Sequence, residues 1–234
     1  MLFRSLHGTG PDLGPIATAY PYEQRTMLHV LTDQAERRDD QPWLVFDGEQ
    51  HLTFGQALQS AYQFAAAASA ADFAAPRVAL LLRNQLEFMP AFLGAQAAGG
   101  FAAPLNPEAR GPLLTNLLNR CDAQILVVRA DLLDIVRAVP SLAAVQLVLV
   151  CGEETADTEV HGVPALSFDR WCAGHPSAAP LTLPHPGDPA ALIFTSGTSG
   201  GSKAAIWSHH YQYLSSATIS DSLEHTPDDV LIWD

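Results

Sequence analysis

Between residues 194 and 210 the chain reads FTSGTSGGSKAAIWSHH, the densest cluster of small and hydroxylated residues in the sequence. Thr195, Ser196, Thr198 and Ser199 offer hydroxyl donors. Gly197, Gly200 and Gly201 free the backbone, and Lys203 adds a positive charge. Such a set suits a polyphosphate: glycine permits the conformations in which successive N–H groups converge on one anion. The formal charge of the whole chain is -13, so an anionic ligand has to be held locally, against the overall field.

Two familiar phosphate motifs fail on spacing. Counted from Gly197, the GxxxxGK[ST] loop meets Ser202 where its second glycine belongs and Ala204 where its magnesium-binding hydroxyl belongs. The dinucleotide pattern GxGxxG cannot be laid over Gly197, Gly200 and Gly201. A flexible Gly/Ser linker is the competing interpretation. The stretch is short, however, and lies between the apolar runs AALIF and AAIWSH, which favours phosphate binding.

The elements around it must present the loop. Leu28, Leu31 and Ala35 at helical spacing predict a surface helix over 24–37, ending in the solvated AERRDD. WLVFDGEQHLTF reads as a hairpin turning at Asp47-Gly48, and an Ala-rich helix follows over 54–71. From Arg77 onward strands and helices alternate: RVALLL, a helix to about Ala98 with a capping box from Asn84 and Glu87, then FAAPL, GPLLTNLLNRC, QILVV, DLLDIVRAV and VQLVLV. This alternation predicts an α/β fold with a parallel sheet flanked by helices, joined by right-handed crossovers. Residues 151–189 are rich in Pro, Gly, Asp and His and read as a long surface excursion in which only VPALSF could be a strand. AALIF resumes the order, and HYQYLSSATISDSL is a final helix. The expected division is a helix-hairpin-helix segment over 1–75 and a parallel α/β unit over 76–234, with the loop at 195–203.

Composition narrows the function. Twelve basic against twenty-five acidic residues give no general attraction to nucleic acid or anionic membrane. Residues 88–107 are uncharged but hold three prolines and a Gly-Gly pair, so no membrane span is expected. Cys121, Cys151 and Cys172 lack CxxC spacing, which fits a reducing, cytoplasmic setting; Cys121 and Cys151 read as buried small hydrophobes rather than nucleophiles. The pair His209-His210 is expected on a strand, pointing to opposite faces, without a metal. Trp43, Trp171, Trp207 and Trp233 are too scattered for a base-stacking platform.

The residues Phe194, Thr195, Ser196, Gly197, Thr198, Ser199, Gly200, Lys203, Ser208 and His209 together resemble the phosphate-loop signature of the adenylate-forming superfamily. That superfamily includes acyl-CoA synthetases, luciferases and peptide synthetase adenylation domains. LTFGQAL at 52–58 and RVALLLRNQLEFMPAFLGAQAAGGFAAPLNP at 77–107 resemble further motifs of the family, in the same order. Pro104-Leu105-Asn106-Pro107 looks most like the acyl-CoA synthetase branch. Ser202 stands where the family has proline and Ala204 where it has glycine, leaving the hydroxyls and Lys203 in place.

The resemblance implies an incomplete N-terminal domain of an adenylate-forming enzyme that uses ATP, Mg2+ and coenzyme A on a small-molecule carboxylate. In that scheme Thr195, Ser196, Gly197, Thr198, Ser199, Gly200 and Lys203 grip the β- and γ-phosphates, and no catalytic residue can be assigned. Family members are more than twice as long, so the chain is expected to lack synthetase activity by itself and to self-associate through exposed apolar surface. Two alternatives stay open: an adenylation domain that loads a carrier protein, and a non-catalytic nucleotide-binding or interaction module.

Overall fold

The computed structural model describes residues 14–48, 50–142, 144–152, 158–180, 182–195, 203–226 and 229–232. Helix α1 spans Met27–Arg38, capped by Thr26, whose hydroxyl accepts the His29 N–H. Strands β1 (Pro42–Phe46) and β2 (Gln50–Thr53) form the expected antiparallel hairpin, and Asp47 and Gly48 take positive φ at its turn. Helix α2 (Phe54–Ala70) opens on a capping box between Thr53 and Gln56.

The main sheet has eight strands. β3 (Arg77–Leu81), β4 (Phe101–Pro104), β5 (Ile125–Arg129), β6 (Leu147–Cys151), β8 (Val163–Ser167) and β9 (Pro189–Thr195) run parallel. β7 (Thr158–Val160) and β10 (Lys203–Ser208) close the two edges as antiparallel partners of β8 and β9. The order is β10-β9-β4-β3-β5-β6-β8-β7. The chain steps from β3 to β4 on one side, then over β3 to β5 on the other.

Alternation along the central strands builds two cores. Val78, Leu80, Ile125, Val127, Leu147 and Leu149 face one side, which is covered by α1, α2, α3 (Phe88–Ala97) and α6 (Phe168–Ala173). Ala79, Leu81, Leu126, Val128, Val148 and Val150 face the other, under α4 (Gly111–Cys121) and α5 (Leu133–Arg137). Helices α2 and α3 pack closely because residue 94 is glycine: a Cβ there would stand 2.6 Å from the Phe64 Cβ.

Three expectations need correction. The Asn84/Glu87 capping box does not form: α3 begins at Phe88, and the Glu87 carboxylate accepts instead from Gln85 Nε2 at 3.0 Å. Residues 151–189 are no mere surface excursion, because β8 joins the sheet beside β6 and α6 buries Phe168 and Cys172 against α2. His209 and His210 are not on a strand; they open helix α7 (His209–Ser222), capped by Ser208.

Candidate phosphate-binding site

Strand β9 carries the loop to its place. Ala190, Ala191 and Leu192 are buried, Ile193 and Phe194 half-buried, and Thr195 exposed, so the strand emerges from the sheet as it reaches the loop. β10 returns antiparallel, with Lys203 opposite Thr195, Ala204 opposite Phe194 and Ala205 opposite Ile193. The Thr195 hydroxyl donates to the Lys203 carbonyl at 3.4 Å. Both ends of the 196–202 connection are therefore held face to face. Of the expected site residues, Thr195 and Lys203 stand opposite one another; Ser196, Gly197, Thr198, Ser199 and Gly200 lie outside the described residues.

The hairpin projects from the carboxyl ends of the parallel strands, the edge at which open α/β sheets bind ligands. On the same edge, the turns after β3 and β4 are tied by Arg83 and Glu108 at 2.7 Å, and Arg110 meets the other Glu108 oxygen at 3.5 Å. Asn106 Oδ1 accepts the Glu108 N–H at 2.8 Å, which shapes the Pro104-Leu105-Asn106-Pro107 exit. Arg37, Arg77, Arg129 and Arg137 are likewise paired with carboxylates, whereas Lys203 joins no ion pair among the described residues. It is also the single lysine of the sequence. A cleft of about 380 Å³ between α1 and α2, lined by Asp39, Thr53, Gln56 and Tyr62, shares no residue with the hairpin.

Behind the hairpin lie polar residues that sequence reasoning missed. Gln96, fully buried on α3, donates through Nε2 to the Ala190 carbonyl at 3.1 Å and to Gln212 Oε1 at 3.0 Å, joining β9 to α7. His209 N–H donates to the Asp188 carbonyl at 3.1 Å and His210 N–H to the Pro186 carbonyl at 2.8 Å. The His209 ring is 0% exposed, and neither of its nitrogens has a hydrogen-bond partner among the described residues. Burial pushes its pKa down to about 4, only partly opposed by the charge of Asp188, so the ring is neutral at pH 7. The nearest sequence signal was the apolar run AAIWSH, whose Ala204, Ala205 and Ile206 are exposed, so it does not announce the buried ring.

The cysteines are buried and unpaired with one another. Burial pushes the Cys121 thiol up to about 11, Cys172 to about 12 and Cys151 higher still, the opposite of what a nucleophile needs. Among the described residues, no group of three or more His, Cys, Asp or Glu is placed to hold a metal. None of the described helices is long and apolar enough to cross a membrane.

A mostly parallel α/β sheet flanked by helices is the N-terminal domain architecture of adenylate-forming enzymes. The chain belongs to the AMP-binding enzyme family, whose model matches residues 31–233. It is 29% identical over 195 residues to the medium/long-chain-fatty-acid–CoA ligase FadD6 of Mycobacterium tuberculosis, covering 82% of this chain and 30% of that protein. It is also 29% identical over 188 residues to the L-proline–[L-prolyl-carrier protein] ligase of Streptomyces coelicolor, covering 79% of this chain and 35% of the relative. The anthranilate CoA ligase AuaEII, solved in complex with anthranoyl-AMP, superposes with a TM-score of 0.72 at 23% identity, over 83% of this chain and 36% of that one. The chain thus spans about a third of the length of these relatives.

Proposed function

We propose that residues 195–203 hold the β- and γ-phosphates of ATP in a ligase of the acyl-CoA synthetase type. In the proposed reaction a carboxylate attacks the α-phosphate, pyrophosphate leaves, and the acyl-adenylate passes its acyl group to the thiol of coenzyme A. The role of this chain is in the first half. Thr195, Ser196, Thr198 and Ser199 supply hydroxyl donors for the leaving phosphates, Gly197 and Gly200 supply glycine's backbone freedom, and Lys203 offsets the charge that develops as pyrophosphate departs. Mg2+ accompanies the nucleotide, and the residue after Lys203 is Ala204, so the loop supplies it no hydroxyl at the position where a GxxxxGK[ST] loop would.

The observation that carries this reading is the pairing of Thr195 with Lys203 at the carboxyl edge of the sheet, which places the sole lysine at the mouth of the connection. A coenzyme A acceptor is proposed over a carrier protein on the likeness of the Pro104-Leu105-Asn106-Pro107 exit; the relatives include ligases of both kinds. Turnover is proposed for the whole enzyme, and polyphosphate binding for these residues. Self-association is supported by exposed Ile206, Leu223, Val230 and Ile232 on the last thirty residues.

Competition dialysis tests the phosphate assignment. Pyrophosphate is expected to displace ATP at least tenfold more effectively than AMP does, because AMP lacks the groups the loop is proposed to hold. Equal displacement by AMP and pyrophosphate would contradict the proposal.

A further inference from the structure

Helix α7 is held at its start by β9 and Gln96, and along its later turns by the segment that precedes α1. Its buried Tyr213 and Ala217 belong to neither core of the sheet; they form a third cluster with Ala17, joined by Tyr20, Val30 and Leu214. The Asp221 carboxylate accepts the Ile16 N–H through one oxygen and the Ala17 N–H through the other, each at 2.9 Å. The Tyr213 hydroxyl donates to the Ile16 carbonyl at 2.7 Å. Arg25 Nε donates to the Tyr20 carbonyl at 2.9 Å, and its guanidinium stands 5.9 Å from the Tyr213 ring centroid. The Tyr20 ring meets Tyr213 edge-on at 6.1 Å, while its hydroxyl donates to Asp33 of α1 at 2.5 Å. Tyr22 packs edge-on against His210 at 5.0 Å.

Asp221 sits in the last turn of α7, where a negative charge opposes the helix dipole. The helix gains nothing from it there; residues 16 and 17 do, through two charge-assisted hydrogen bonds to consecutive N–H groups. Gly14 comes so close that a Cβ at that position would collide with the Asp221 carboxylate. At its other end α7 follows β10 without a spacer, since Ser208 ends the strand and His209 begins the helix. β10 is exposed from Lys203 to Ile206 and, among the described residues, is paired on one side only, with β9. α7 thus continues directly from the strand that carries Lys203 opposite Thr195.

We propose that residues 14–25 are a positioning strap for β10 and its Lys203, with Asp221 as its receptor and Tyr213 as its second anchor. Docking of the strap seats α7, and the seated helix holds β10 in register against β9. The functional meaning of this device rests on the reading that residues 195–203 hold a polyphosphate; the mechanical coupling does not.

Because Lys203 is the only lysine, a lysine-specific endoprotease cuts the 234-residue chain at one bond, at the start of β10. Asp221→Ala removes the receptor, and Gly14→Ala displaces the strap by its collision with the Asp221 carboxylate while leaving the sequence of α7 unchanged. Each is expected to speed cleavage after Lys203 at least tenfold and to weaken pyrophosphate binding about tenfold. Cleavage by an arginine-specific protease after Arg120 and Arg137, on the far face of the sheet, should stay within twofold. Unchanged cleavage at Lys203 in both variants would overturn the strap, and so would an equal acceleration at Lys203, Arg120 and Arg137, which a merely structural role produces. Faster cleavage at Lys203 in a protein that binds no pyrophosphate would uphold the strap and remove the polyphosphate reading.

Discussion

Burial of a neutral His209 should make the protein acid-labile by a calculable amount. The ring is fully buried, both nitrogens lack partners among the described residues, and burial pushes its pKa from 6.5 down to about 4 on folding. Between those values the unfolded chain binds the proton that the folded one refuses, so stability is complete above pH 6.5 and declines as the pH drops toward 4. At about 1.4 kcal/mol per pH unit, the full penalty is about 3 kcal/mol, of which about 2 kcal/mol has accrued at pH 5. Carboxylates titrate in the same range, so the effect has to be read against a variant. His209→Leu keeps a side chain of similar bulk and removes the titration. Urea unfolding at pH 7.5 and pH 5 should show the parent losing about 2 kcal/mol more than the variant over that interval. Parallel losses in both proteins would refute the reasoning and mean that the ring finds a partner or water in the folded state.

Three further outcomes are expected. Gly94→Ala forces a Cβ to within 2.6 Å of the Phe64 Cβ, and overpacking of about 1–3 kcal/mol should outweigh the helical gain of up to about 1 kcal/mol, lowering the urea midpoint. Cys121, Cys151 and Cys172 should all be silent toward a soluble disulfide reagent at pH 8 in the native protein and titrate as three thiols after denaturation, because all are buried with raised pKa values. Sedimentation velocity should show the mean mass rising with concentration, through the exposed Ile206, Leu223, Val230 and Ile232; a monomer at every concentration would contradict it.

Much of this fold is legible in the residues because its central strands are short apolar runs broken by turn formers. RVALLL, FAAPL, QILVV and VQLVLV each occupy a parallel strand, and burial on both faces explains why they read as continuous rather than alternating. The segment 151–189 was opaque for the opposite reason: β7 has three residues and α6 six, too few to display a period. The start of α3 was misplaced because Asn84 and Glu87 have capping-box spacing, yet Gln85 competes for the Glu87 carboxylate. In the loop, residue types pointed to phosphate; the structure sets Thr195 opposite Lys203, and Ser196, Gly197, Thr198, Ser199 and Gly200 lie outside the described residues. The strap was invisible in the sequence, since its contacts join residues about two hundred positions apart, such as Ile16 and Asp221.

The central claim is that Lys203 and its loop bind the polyphosphate of ATP. The most direct measurement is calorimetric titration of pyrophosphate into the parent chain and into Lys203→Ala, at fixed ionic strength. Loss of a charge-assisted contact worth about 1.5–3 kcal/mol should weaken binding roughly ten- to a hundredfold in the variant. Equal affinity in the two proteins would take the loop out of the account.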